Sequence, residues 1–468
     1  MRMRDGHESN VSQDEAAVFL TPGYYGSRRH RTAKQHILTP GPLGPQDRVE
    51  DPGGREPVAV TTTTTLVHRA YTGPGQWWRD RLVYEIPSPD LGAGELDAMG
   101  GLFEHVVSLG FGAVLVRPSR LDTSSEMPAF RRFAERAHEL GLRVIVRISG
   151  ALMPVTGVHA GEDNPIVVFH ERDHEGLVER AESFLAAGAD GVDLGTILPP
   201  EAWDESDLGR LSEHLAAVQS LLVEYVPEGT LGADVSARYP DALRHHLQDD
   251  WLHHLRDDRL MLSGWGPVAL TRAITRSLAE HDRFGAPPVW RYLPSCRVEE
   301  GMSVGGEQPW FEAVAPQEAR RRALALQALT LALPGSVYMR QGDEIAPLDA
   351  DLPTGPLALA GLVAERAAAQ GSQFGSPLAT VRHATYVRQE HHLATAPFAF
   401  VKGLDWCPRD VLAVLARDVL VLVNTSPRPI ILPEHAEVLL SSGALEQDSG
   451  GLVVPPTTTV WMDASTVA

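Results

Sequence analysis

The strongest constraint on the fold is a repeated order of helix, glycine and strand between residues 95 and 194. Apolar residues recur at helical spacing in 95–110, 127–141 and 174–188. Each segment ends in a glycine that can adopt the left-handed C-cap conformation, and these are Gly110, Gly141 and Gly188. A run rich in Val, Ile and Leu follows each glycine within a few residues, which predicts a buried parallel strand. This order is typical of a repeated βα unit.

Eight runs of this kind predict the strands of one sheet. They lie at 81–86, 112–118, 142–148, 189–194, 229–235, 259–263, 287–293 and 335–340. Eight strands in this pattern predict a (β/α)₈ TIM barrel, in which active-site residues lie at the C-terminal ends of the strands.

The segments on either side of the barrel differ from it in composition. Residues 1–75 are rich in Gly, Pro and polar residues and include "RRHR" at 28–31 and "TTTTT" at 61–65. This composition predicts a mostly disordered segment with one short strand near 58–67. Residues 76–374 would form the barrel. After that point short strand-like runs replace helical spacing, which predicts a C-terminal antiparallel β-sandwich at 375–468.

Charge and cysteine content limit the classes of partner and cofactor. The net charge of −20 argues against nucleic acid and anionic membranes as partners, because both favour positive patches. Cys296 and Cys407 are too far apart in sequence for a disulfide framework or a zinc motif. We therefore expect no metal or other cofactor. The sequence has no run of eighteen apolar residues and no apolar signal core near its start, so we expect a cytoplasmic protein.

Three stretches together resemble glycoside hydrolase family 13, the α-amylase and α-glucosidase family. They are "WWRDRLVYEI" at 77–86, "GADGVDL" at 188–194 and "LALPGSVYMRQGDEI" at 331–345. They occur in the same order as in the family, and the C-terminal strands also fit its α-glucosidase branch. The resemblance implies a barrel followed by a β-domain. It also implies retaining glycoside cleavage by two carboxylates about 5–5.5 Å apart, with a third that helps to distort the sugar.

The residues at the matching catalytic positions differ from those of the family. The nucleophile position is Gly195, the acid/base position is Ala233 or Asp234, and the stabiliser position is Cys296. The segment 150–170 is too short for the usual B domain, and 118–127 lacks the element that helps to hold the first sugar ring. The resemblance therefore implies a divergent member without the catalytic carboxylates.

One difference from the family has a pattern. Where the family has an Asp on the third strand and an Arg on the fourth, this chain has Arg147 and Asp193. An unpaired charge inside a barrel is costly, so both positions are expected to change together. We predict an Arg147–Asp193 ion pair near the mouth of the barrel. The alternative is that both side chains reach solvent in a widened mouth.

Two other groups of residues have both a functional and a structural interpretation. The segment 241–258 places His246, Asp250, His253 and Asp257 at helical spacing. A metal could use this face, but an apolar stripe opposite it favours an ordinary amphipathic helix with a solvated side. Tyr84, Trp203, Trp265 and Tyr292 could stack on sugar, with core packing as the alternative. The candidate cleft residues are Tyr84, Arg147, Asp193, Asp234 and Tyr292. Glu344 is expected to be structural.

Three hypotheses of function follow. The first is a degenerate α-glucosidase-like protein without hydrolase activity, which binds an α-glucan or oligosaccharide or acts as a scaffold in carbohydrate metabolism. The second is an active α-glucosidase-type hydrolase or transglycosylase that uses Asp193 and Asp234 as relocated carboxylates. The third is a protein-interaction module without a sugar site.

Overall fold

A computed structural model of the 468-residue chain gives the architecture. The structure describes residues 62–86, 91–118, 123–148, 171–196, 205–235, 237, 240–249, 252–292, 311, 314–347, 353, 355–448 and 450–467. The expectations for residues 1–61, for the reduced B domain at 150–170, and for Trp203 and Cys296 lie outside the described residues. Residues 59–468 belong to one compact unit.

Eight parallel strands form the barrel, and the predicted fold class is confirmed. They are β2 (Leu82–Glu85), β3 (Ala113–Val116), β4 (Arg143–Arg147), β5 (Gly191–Thr196), β6 (Thr230–Asp234), β7 (His254–Arg256), β8 (Val289–Tyr292) and β9 (Ser336–Arg340). The order across the sheet is β7-β6-β5-β4-β3-β2-β9-β8. A parallel bridge from Asp257 to Trp290 joins the two outer strands.

Ten α-helices are found among the described residues, and most of them cover the outside of the barrel. They are α1 (Ala93–Met99), α2 (Phe103–Ser108), α3 (Thr123–Glu139), α4 (Glu171–Ala186), α5 (Glu205–Tyr225), α6 (Pro240–Asp249), α7 (Pro267–Phe284), α8 (Pro316–Ala332), α9 (Pro356–Gln370) and α10 (Pro377–Glu390). Gly110, Gly141 and Gly188 have φ of 81°, 76° and 106°, so the predicted left-handed conformation after the helices is confirmed. None of the helices in the described ranges has the length and apolar character that crossing a membrane requires.

The prediction for the sixth barrel strand is wrong. Residues 259–262 form turns, and the strand is β7, which begins at His254. The predicted helix over 241–258 is wrong in the same region, because α6 ends at Asp249. The helical spacing of Leu243, Leu247 and Leu255 favours a helix across this region of the sequence. The short strand β7 has only three residues, and its alternate residues point into the barrel. His246 is buried, so it does not belong to a solvated face.

Two antiparallel sheets form the C-terminal β-sandwich. A six-stranded sheet has the order β1-β10-β11-β12-β17-β14, and a three-stranded sheet has the order β13-β16-β15. The strands are β1 (Thr63–His68), β10 (Phe398–Lys402), β11 (Leu412–Ala416), β12 (Val419–Val423), β13 (Ile430–Ile431), β14 (Val438–Ser441), β15 (Glu446–Asp448), β16 (Gly451–Val454) and β17 (Thr459–Asp463). The short strand expected near 58–67 therefore corresponds to β1, which pairs with β10 at the edge of the larger sheet.

Three apolar clusters hold these layers together. The largest lies between the barrel and its helices and extends to one face of the six-stranded sheet. A second fills the space between the two sheets of the sandwich. A third lies inside the barrel and consists of Val83, Ala113, Leu115, Ile145, Val289 and Tyr338. The barrel is therefore filled by side chains, and charged groups accompany these apolar residues towards the C-terminal ends of the strands.

Candidate functional site

Six charged side chains from six different strands converge inside the C-terminal end of the barrel. Successive side chains of a strand point to opposite faces, so each strand brings alternate residues into the barrel. We call the six residues the barrel cluster: Glu85, Arg147, Asp193, Asp234, Arg256 and Arg291.

The predicted ion pair between neighbouring strands β4 and β5 is confirmed. Arg147 Nε donates to Asp193 Oδ1 at 2.8 Å. Arg147 is 5% exposed and Asp193 is 0% exposed, so the alternative of two solvated side chains is wrong. The backbone register places the two residues directly opposite each other.

Arg147 also reaches two further carboxylates. Its Nη1 donates to Glu85 Oε1 at 2.8 Å, and its Nη2 lies 3.6 Å from Asp234 Oδ2. One guanidinium thus joins carboxylates from β2, β5 and β6.

Arg256 joins two of the same carboxylates from the other side. Its Nη2 lies 2.6 Å from Asp193 Oδ2, and its Nε donates to Asp234 Oδ1 at 2.5 Å. The guanidinium lies 4.3 Å from the centre of the Tyr338 ring, a cation–π arrangement that fixes its plane. Arg256 is 1% exposed. Sequence reasoning missed it because the strand that carries it was assigned to a helix.

Arg291 completes the barrel cluster. It lies 3.7 Å from Glu85 Oε1 and 3.5 Å from Asp234 Oδ2. Within the barrel cluster each carboxylate contacts at least two arginines, and each arginine contacts at least two carboxylates. The formal charges of the six residues cancel, which is how charges can be tolerated in a barrel interior.

The arginines keep two of the carboxylates ionised. Burial raises the pKa of Glu85, but Arg147, Arg291 and Arg340 outweigh it and lower the pKa to about 2. Burial also raises the pKa of Asp234, and the three arginines of the barrel cluster hold it well below its usual range. Both groups are therefore acceptors without a proton at neutral pH.

A neutral histidine lies next to the barrel cluster, on the side of the N-terminal ends of the strands. Burial lowers the pKa of His254 to about 3, and Arg256 contributes in the same direction. Its Nε2 lies 2.5 Å from the Trp78 carbonyl oxygen, and its Nδ1 lies 2.7 Å from the Tyr338 hydroxyl. Because a carbonyl only accepts, Nε2 carries the proton and Nδ1 accepts from Tyr338. The ring beneath Arg256 is thereby held in one orientation.

The position that the resemblance assigns to the nucleophile has no side chain. Gly195 has φ of 67°, and its N–H donates to Asp193 Oδ1 at 2.9 Å. Asp193 Oδ1 therefore accepts from both Gly195 and Arg147, while Oδ2 contacts Arg256.

The structure places the two candidates for the acid/base position on opposite faces of β6. Ala233 packs in the apolar cluster between the barrel and its helices, whereas Asp234 belongs to the barrel cluster. The pairing of β5 with β6 shifts between Asp193 and Thr196. This shift is why spacing in the sequence could not decide between Ala233 and Asp234.

The remaining predicted residues do not join the barrel cluster. The expectation that Tyr84 lies in a cleft is wrong. Its neighbours Val83 and Glu85 point into the barrel, so the Tyr84 side chain lies on the outer face of the sheet, where it packs against Phe111. Tyr292 lies on β8, and its side chain is outside the described atoms. Trp265 is half-buried near Arg322, with 5.1 Å from its ring centre to the guanidinium carbon.

Two acidic residues follow the last barrel strand. Glu344 accepts from the Tyr84 hydroxyl at 2.8 Å, from His105 Nε2 at 2.9 Å and from the Gly342 N–H at 2.8 Å, which fits the structural role expected for it. Burial raises the pKa of Asp343 well above its usual range; Arg340 opposes this and Glu344 adds to it. Among the described residues, no three His, Cys, Asp or Glu side chains are placed to hold a metal ion.

Gly232 leaves room for the barrel cluster, which gives a first prediction. A Cβ at this position would lie 2.8 Å from Asp193 Oδ2, an atom that Arg256 holds in place. Gly232→Ala is expected to lower the free energy of unfolding by about 1–3 kcal/mol through overpacking, as measured by urea denaturation. Gly361→Ala in helix α9 is the matched control, because a Cβ at position 361 meets nothing within 4 Å. It should stabilise by about 0.5–1 kcal/mol, and an equal gain in Gly232→Ala would show that the barrel cluster can move aside freely.

Comparison with known proteins gives a structural likeness only. No protein-family model and no curated protein matches the sequence. Among solved structures, Amy13B of Eubacterium rectale has a TM-score of 0.55 at 10% identity and covers 85% of this chain and 97% of its own. The apo pullulanase of Paenibacillus barengoltzii has a TM-score of 0.53 at 15% identity, with 85% and 78% covered. The chain therefore has the barrel-and-sandwich fold of amylolytic glycoside hydrolases, as the resemblance implied.

Proposed function

We propose that this protein is a degenerate α-amylase-type barrel that does not hydrolyse glycosides and retains the fold to bind an α-glucan or oligosaccharide. The observation that carries the proposal is the barrel cluster. Arginine–carboxylate pairs fill the part of the barrel where a retaining glycosidase needs accessible carboxylates.

The first missing function is that of the nucleophile. A retaining glycosidase needs a carboxylate oxygen directed at the anomeric carbon. Gly195 supplies none, and both oxygens of Asp193 are engaged by Arg147, Gly195 and Arg256. Using Asp193 as a nucleophile would require breaking a buried ion pair, which costs several kcal/mol.

The second missing function is that of the general acid. An acid that works at neutral pH needs a pKa near that pH, which enzymes obtain by placing a carboxyl group in an apolar environment. Arg256, Arg291 and Arg147 have the opposite effect on Asp234, because they lower its pKa. Relocated catalysis by Asp193 and Asp234 would therefore lack a proton donor.

The choice of ligand rests on the structural neighbours. The D350A pullulanase of Paenibacillus barengoltzii was solved with maltotriose, with a TM-score of 0.51 at 13% identity. A second structure of that pullulanase contains maltohexaose and α-cyclodextrin, with a TM-score of 0.51. By analogy we take α-glucans as the first ligand class to test.

A hydrolysis assay tests the first half of the proposal. The full-length chain is incubated with maltose, isomaltose and an aryl α-glucoside, and release of glucose or aglycone is measured beside Asp193→Asn and Asp234→Asn. We expect no release above background from any of the three proteins. Release by the unmodified chain that disappears in either variant would establish the alternative, an active hydrolase or transglycosylase with relocated carboxylates.

Calorimetry tests the second half. Titration with maltohexaose, maltose and trehalose is expected to give saturable heat for at least one α-glucan. The absence of heat at millimolar sugar would refute sugar binding and favour the third hypothesis, a protein-interaction module without a sugar site.

A further inference from the structure

A concave site lies at the opposite end of the barrel from the barrel cluster. It is a cleft of about 650 Å³ beneath the N-terminal ends of the strands, within the size range of small-molecule sites. Pro288 and Gly335, which immediately precede β8 and β9, line it, and so do the end of β1 and the segment that follows β1. We call it the lower cleft, and its lining residues all belong to the described part of the chain: 66–73, Arg79, Asp282, 285–288, Gly335, Ala394 and Thr395.

Two arginines, one histidine and one carboxylate line the lower cleft, and they are Arg69, Arg79, His68 and Asp282. His68 Nδ1 lies 2.8 Å from Asp282 Oδ1, so the single acidic group already has a partner. In a chain whose net charge is −20, this is a local site where an anion would be favoured.

Arg79 is the best-placed of these basic groups. Its guanidinium lies 4.4 Å from the centre of the Tyr71 ring and 4.7 Å from that of Trp78. Its Nε donates to Gln76 Oε1 at 2.5 Å. Stacking on two rings orients the planar group before any ligand arrives, which suits recognition of a carboxylate, sulfonate or phosphate.

Another part of the lining is apolar and rigid. It includes Ala286, Pro287 and Pro288, and the half-exposed Leu66 also lines the cleft. Gly335 has φ of 89°, and a Cβ there would collide with the Pro288 carbonyl. Because the prolines fix their φ and only glycine fits beside them, this part of the lining is formed before binding.

We propose that the lower cleft binds a small organic anion, with the acidic group against Arg79 and an apolar body against Ala286, Pro287 and Leu66. This inference goes beyond the proposed function, since it uses neither the barrel cluster nor a sugar.

Two fluorescent probes of similar shape and different charge test the proposal on the full-length chain. 8-Anilinonaphthalene-1-sulfonate is the anionic probe, and N-phenyl-1-naphthylamine is its neutral counterpart. We expect saturable binding of the anionic probe and at least tenfold weaker binding of the neutral one. Arg79→Gln should lower the affinity for the anionic probe about tenfold, as expected for loss of one charge-assisted contact. It should leave the affinity for the neutral probe unchanged.

The controls separate the lower cleft from general binding to apolar surface. Arg283→Gln removes a nearby cation that does not line the cleft and should leave both affinities unchanged. Ala286→Trp should fill the cleft and abolish binding of the anionic probe, with circular dichroism and the urea midpoint confirming that each variant is folded. No saturable binding, or equal affinity in Arg79→Gln and the unmodified chain, would overturn the proposal. Sugar calorimetry on Arg79→Gln should be unchanged, so the two proposals can fail independently.

Discussion

Replacing Arg256 with methionine is expected to lower the free energy of unfolding by about 3–5 kcal/mol. Arg256 is 1% exposed and lies within 2.6 Å of carboxylate oxygens of Asp193 and Asp234. Methionine keeps much of the side-chain volume but not the charge. Two buried carboxylates would then share fewer cations, and burial of an uncompensated charge is among the largest penalties that a single substitution can cause. Urea denaturation at pH 7.5 measures the loss.

Two further variants show whether the loss comes from charge. Arg136→Met removes an exposed arginine that contacts Glu104 and Glu139 at 3.1 and 3.2 Å, and it should cost less than about 1 kcal/mol. Adding Asp193→Asn to Arg256→Met leaves two carboxylates and two arginines in the barrel cluster, so its formal charges cancel again, and should restore part of the stability. If Arg256→Met costs no more than Arg136→Met, the barrel cluster is not a buried electrostatic unit.

Much of the fold could be read from the sequence because its signals are local. Gly110, Gly141 and Gly188 each end a helix in the left-handed conformation, and a buried strand follows each of them. Seven of the eight predicted barrel strands overlap observed strands, and the exception is the sixth. The short strand in the first 75 residues was also expected, although its pairing with β10 depends on tertiary contacts that the sequence does not display.

The barrel cluster could be predicted only in part. The exchange of signs between Arg147 and Asp193 was visible because both lie in strands with clear apolar patterns. The inward position of Glu85 follows from alternation along β2, since Val83 and Glu85 both point into the barrel. That signal could have identified it. Arg291 could have been found in the same way on β8.

Arg256 could not be predicted because helical spacing and strand alternation both occur in its part of the sequence. Its strand has three residues, which is too short for alternation to outweigh the helical spacing of Leu243, Leu247 and Leu255. Closure of the barrel, a tertiary effect, decides the outcome there. The choice between Ala233 and Asp234 failed for a similar reason, because a register shift between β5 and β6 cannot be counted from spacing.

His254 should make the stability depend on pH in a range where most carboxylates do not titrate. Its pKa is about 3 in the folded barrel and about 6.5 in an unfolded chain. As the pH falls below about 6.5, the unfolded chain binds a proton that the folded chain does not, so stability is full above that pH and is lost towards pH 3. Between pH 7.5 and pH 5 the loss from this residue is about 2 kcal/mol. Glu85 and Asp234, whose pKa values are lowered, add their own loss only below about pH 5, the range in which carboxylates of an unfolded chain begin to bind protons.

Urea denaturation at pH 7.5, 6.5, 5.5 and 5.0 compares the unmodified chain with His254→Gln. Glutamine can still donate to the Trp78 carbonyl but has no charge to gain, so this variant should be less stable at pH 7.5 and lose about 2 kcal/mol less towards pH 5. Parallel curves for His254→Gln and the unmodified chain would mean that the folded barrel accepts a proton on His254. Nδ1 could then not accept from Tyr338, and a positive charge would lie directly beneath Arg256. A protonated His254 would then have to be counted with the six residues of the barrel cluster when their charges are balanced.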